Sequence, residues 1–117
     1  MSKKIFSVDA VHLAIDKGNP AQLHVAAMGQ VSSSGWKGPV LVPRLYFVAP
    51  ADGIQDLDFR ATPPSGIALT VILPISADIV LDLVDWLKGV RVHSAHNAIE
   101  ATIADGATLA SLATVRA

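Results

Sequence analysis

The chain has 117 residues, nine Lys and Arg against ten Asp and Glu, a net charge of −1 and no cysteine. That length suits one domain spanning 1–117 and is too short for two separate cores. Near-neutral charge removes the electrostatic footprint of a nucleic-acid binder or a polybasic membrane adsorber, and the lack of thiols excludes a disulfide scaffold and any thiolate nucleophile or metal site.

Half of the residues are hydrophobic, more than a disordered chain carries. Nine of the ten acidic residues are Asp, which favours turns and caps over helix interiors. With 8 Gly, 7 Pro and 22 Val and Ile, the composition predicts many strands joined by tight turns. The 18 alanines make the interior less bulky than the hydrophobic fraction suggests.

Met1-Ser2-Lys3-Lys4 has the charge of a secretory leader, but Ser7, Asp9 and His12 interrupt the apolar run that should follow. No apolar stretch approaches the roughly 18 residues of a spanning helix. A cytoplasmic protein without a membrane span is expected.

Residues 5–15 place Val11, Leu13 and Ile15 on one face, and residues 23–31 alternate in the same way. A turn at 16–20 then sets Leu13 opposite Val25, with His12 and His24 as diagonal neighbours on the other face. Residues 32–35 form a loop that delivers Trp36. The stretch 40–48 is extended, and Pro43 marks it as an edge or bulged strand.

The clearest strand is 55–62, with Leu57, Phe59 and Ala61 facing in and Asp56, Asp58 and Arg60 facing out. Residues 62–66 turn it into 67–73, and the matching apolar faces predict a hairpin pairing Phe59 with Leu69 and Leu57 with Val71. Over 77–88, Ser76 as a cap, Asp78 in the first turn and Gly89 at the end favour a short helix. Its β-branched residues also tolerate a strand. A hairpin at 95–98 pairs Val92 with Ala101 and Val90 with Ile103, its turn drawing on the tolerance of Asn for positive φ. Asp105-Gly106 is a last turn, and 107–117 is strand, helix or frayed tail.

Asp56 and Asp58, two residues apart on one strand face, suit an acid/base pair. A solvated strand face with Arg60 alongside explains them equally and more commonly. His93 and His96 are the other catalytic candidates, yet odd spacing on a strand sends them to opposite faces. No histidine pair has a third ligand near it in sequence, so no metal and no cofactor is expected. Neither a nucleophile elbow nor a phosphate-cradling glycine loop occurs. Trp36, Arg44, Tyr46 and Trp86 form the other candidate group, the first three as binding residues, with Trp36 more often a plug over one end of the core in such a position.

The pattern predicts a mainly β domain, a two-layer antiparallel β-sandwich of about seven strands with one short helix over 77–88. A small partly open barrel is the alternative. The expected function is a non-enzymatic binding or protein-interaction module with a protein or small-ligand partner. The competing classes are a small hydrolase or metal-dependent enzyme using His and Asp, and an enzyme inhibitor presenting loops 32–39 and 62–66. Several strands are apolar on both faces, as at Val40, Val42 and Ile72, so a homo-oligomer, a dimer or higher, is expected to cover the second face.

Overall fold

The structure is a computed structural model that describes residues 2–18 and 20–103. The expected turn at Asp105-Gly106 and the segment 107–117 lie outside the described residues. Among the described residues eight strands follow in chain order: β1 (Lys3–Lys4), β2 (Ser7–Asp16), β3 (Gln22–Ser33), β4 (Lys37–Pro43), β5 (Ile54–Thr62), β6 (Thr70–Asp82), β7 (Gly89–His93) and β8 (Ala98–Thr102). They form two sheets packed face to face, the expected sandwich rather than a closed barrel.

The three-stranded sheet is an antiparallel meander, β2-β3-β6. Leu13 pairs with Val25 as the apolar phase predicts, and His12 and His24 pair with Ala26 and Ala14, which makes them diagonal neighbours. Asp9 is an extra residue in β2, a bulge between Val8 and Ala10. Gly29 lies opposite, where an added Cβ would run into the Ser7 carbonyl and within 2.6 Å of Ile5 Cδ1. The close approach at the bulge therefore requires glycine.

In the other sheet β5 is central. Arg60 pairs with Lys4 of β1 on one edge and with Val40 of β4 on the other. β7 continues along the β1 edge in parallel orientation, Leu57 against Val92, and β8 closes the sheet. One parallel pair thus interrupts an otherwise antiparallel sandwich.

Three expectations are corrected. The 55–73 hairpin does not form, because 63–69 carries the chain across to the other sheet. Phe59 pairs with Leu41, Leu57 with Pro43 and Val92, and β6 with β3. No helix forms over 77–88. Residues 77–82 continue β6, with Ala77, Ile79 and Leu81 half-buried and Asp78, Val80 and Asp82 exposed, because β3 supplies a ladder over the whole length. The hairpin between β7 and β8 exists, but its register is two residues tighter, Val92 with Ile99 and Val90 with Ala101. Its loop, 94–97, contains no positive φ; Ser94 is buried and binds Asn97 instead.

The core draws Leu41, Leu57, Phe59, Ala61, Val90 and Val92 from one sheet and Val8, Val11, Leu13, Leu23, Val25 and Val31 from the other. The two sides of the sandwich differ. On the β2/β8 side the Asn97 amide accepts from Val8 N–H at 2.9 Å and donates to Val8 O at 2.8 Å, standing in for a neighbouring strand. On the opposite side β4 lies against β6, both at sheet edges, and Val40, Val42 and Ile72 remain 44, 41 and 51% exposed.

Among the described residues Phe59 is the largest fully buried side chain. Phe59→Ala should cost about 3–5 kcal/mol in urea unfolding, because the enclosed site cannot collapse freely. Leu45→Ala, at a residue 96% exposed, should leave the midpoint unchanged.

Candidate functional site

Strict alternation in β5 puts Asp56, Asp58 and Arg60 on the outer face of its sheet, half-buried among neighbours from β4 and β7. The parallel β7 register brings Arg91 opposite Asp56 and His93 opposite Asp58. Asp56 becomes the hub. Its Oδ1 lies 2.7 Å from His93 Nε2 and 3.2 Å from Arg91 Nη1, and its Oδ2 accepts from the Tyr46 hydroxyl at 2.7 Å. The same hydroxyl accepts from Asp56 N–H at 3.0 Å. Asp58 forms a second centre, bound by Arg44 at 2.9 Å with Lys4 at 3.8 Å. Arg91 extends the network to Glu100 at 2.7 Å and Asp52 at 3.5 Å.

Burial pushes both carboxyls up, but their partners outweigh it. Hydrogen bonds from His93 and Tyr46, with the charges of His93 and Arg91, hold Asp56 below the usual carboxylate range. The hydrogen bond and charge of Arg44, then Lys4 and His93, do the same for Asp58. Burial and the hydrogen bond to Asp56 push the Tyr46 hydroxyl up. Each aspartate is therefore a stabilised anion, the wrong electrostatic setting for a general acid near neutral pH.

The candidates singled out in the sequence divide into three places. Asp56, Asp58, His93, Arg44 and Tyr46 share this one face. His96 stands in the β7–β8 loop, its Nδ1 2.9 Å from Phe6 O and its ring centroid 4.5 Å from that of Phe6, so it does not join His93. Trp36 sits at the far end of β4, a strand of seven residues or roughly 23 Å. It is half-buried against the core and donates to Ser33 Oγ at 3.1 Å. Trp86, by contrast, meets Tyr46 edge to face at 6.4 Å.

A concavity of about 350 Å³ lies elsewhere, on the outer face of the three-stranded sheet, lined by His12, Ala26, Met28, Ser76 and Asp78. The sequence alone does not assemble it, because a helix over 77–88 capped by Ser76 would not set Ser76 and Asp78 beside Met28 and Ala26. The signal was Ala26, too small to fill its place between larger outward neighbours. Among the described residues no group of three or more His, Asp and Glu has the arrangement of a metal site, and no helix is long and apolar enough to cross a membrane. Comparison with family models, curated proteins and solved structures found no match.

A carboxyl held below its ordinary value of 3.8 stabilises the fold above that value, and the contribution is lost as pH falls through the folded-state value. Urea midpoints measured from about pH 7 down to about pH 2.5 should therefore decline on the acid side. Asp56→Asn should lower the midpoint at neutral pH and flatten that acid limb; an unchanged acid limb would show that Asp56 is not its source.

Proposed function

We propose that this protein is a non-enzymatic interaction module that works as a homo-oligomer through the open β4/β6 side of the sandwich. One observation carries the reading: large apolar side chains stand in solvent on the loops and strands of that side. Leu45 and Phe47 are fully exposed after β4, and Ile67 is fully exposed before β6. Leu69, Val71 and Ile72 continue the apolar run into β6. Contiguous exposed apolar surface marks interaction sites in soluble proteins. We place the module in the cytoplasm, binding neither nucleic acid nor membrane, a reading its near-neutral charge and lack of cysteine support.

The competing reading is a small hydrolase, and the 2.7 Å approach of His93 to Asp56 is what speaks for it. Against it, that pair is flanked by Arg91 and Tyr46 on the outer face of its sheet, and the concavity described above lies on the other sheet. A catalytic base needs reach to a substrate held in a concave site.

Light scattering at micromolar concentration should give at least twice the 12.2 kDa chain mass. Phe47→Ser combined with Leu69→Ser should weaken association and remove the dependence of the unfolding midpoint on protein concentration. A monodisperse monomer overturns the reading.

A further inference from the structure

The outer face of the three-stranded sheet is a chequerboard centred on Ala26. The register is regular there, pairing His12 with Ala26 and Ala26 with Asp78 in one row across the sheet. The next row toward one end is Ala10, Met28 and Ser76, and the next toward the other is Ala14, His24 and Val80. Ala26 is therefore ringed by His12, Asp78, Met28 and His24, all longer than itself. The hollow above its methyl is the concavity of about 350 Å³, which opens toward Met28 and Ser76.

The charges over this sheet are one-sided. β2, β3 and β6 together carry four aspartates and neither lysine nor arginine. In the other sheet Asp56, Asp58 and Glu100 are each held by an arginine. Here Asp16 lies 3.9 Å from His24, and the carboxylates of Asp78 and Asp82 have no ionic or hydrogen-bonded partner among the described residues. Asp78, one wall of the hollow, thus has its whole acceptor capacity unused. Ser76 Oγ, two residues along the same face of β6, is a second acceptor beside it. The floor at Ala26 and the end wall at Met28 are apolar.

We propose that this hollow binds a small organic ammonium ion with an apolar body. The positive head donates to the Asp78 carboxylate and to Ser76 Oγ, and the body lies on the Ala26 methyl against the Met28 thioether. An aromatic body suits that wall, since contacts between a thioether sulfur and a ring are favourable. The surrounding aspartates repel an anionic ligand, and a neutral one gains nothing from their field. The volume is near the lower end of small-molecule sites, roughly 300–1,000 Å³, so the occupant is one small molecule rather than a peptide laid along a strand. The site uses none of Leu45, Phe47 and Leu69, and it stands whether or not the chain associates through the β4/β6 side.

Benzylammonium is the probe, with benzyl alcohol as the same body uncharged and benzoate as the same body with the opposite charge. Titrations followed by NMR at the Met28 and Ala26 methyl groups should saturate with benzylammonium, more weakly with benzyl alcohol and not at all with benzoate. Asp78→Asn should weaken benzylammonium by up to about fivefold, the range of an exposed ion pair, and bring it level with benzyl alcohol. Added salt should remove the same advantage by screening. Ala26→Leu fills the floor at an exposed position, so it should abolish binding of both while leaving the unfolding midpoint close to that of the unmodified chain. Equal affinity for the amine and the alcohol, or an Asp78→Asn variant that binds as the unmodified protein does, overturns the assignment of a cation. No saturable shift at Met28 overturns the site itself. Tighter binding of an oligolysine peptide than of benzylammonium makes the face a protein-docking surface and overturns the small-molecule occupant.

Discussion

The double pairing of β5 is the constraint on which the rest of the structure depends. A central strand must satisfy backbone groups on both edges, and β5 does so with β4 on one side and β1 and β7 on the other. Its alternation then assigns the two layers of chemistry. Leu57, Phe59 and Ala61 are fully buried, and Asp56, Asp58 and Arg60 look the other way. The core and the ionic face are two sides of one strand, so a slip of one residue would destroy both at once.

Much of this was legible from residue spacing. The period of two located β2, β3 and β5, the pairing of Leu13 with Val25, and the shared face of Asp56 and Asp58. Pro43 announced an edge strand, and β4 is one, with a bulge between Lys37 and Val40. Partner choice was not legible. Phase says which face of a strand is buried but not which strand lies beside it, so Phe59 fits Leu41 as well as it would have fitted Leu69. Helix and strand were confused over 77–82 for a related reason. Asp78 and Asp82 are four apart, a spacing that returns a side chain to the same face in either conformation.

The ionic cluster shows the same division. Its acidic half lies within β5 and was read from the sequence directly. Its basic half arrives on β7, more than thirty residues later, through a parallel pairing that local pattern does not encode. Tyr46 and Arg44 enter from the segment after β4, whose turn back toward β5 is set by the Arg44 N–H bond to Asp56 O at 3.0 Å.

Tyr46 has a further consequence for its neighbours in sequence. Its hydroxyl both donates to the Asp56 side chain and accepts from the Asp56 backbone, so the ring is pinned over the sheet at one residue by two bonds. With Tyr46 turned inward, Leu45 and Phe47 on either side of it point into solvent. These two side chains are thus carried on an anchored backbone. The entropy of ordering that segment is lost when the protein folds and is not lost again on contact. On the proposed reading, preorganisation of this kind would raise affinity without adding a single interaction, and the ionic cluster that supplies it would lie outside the contact.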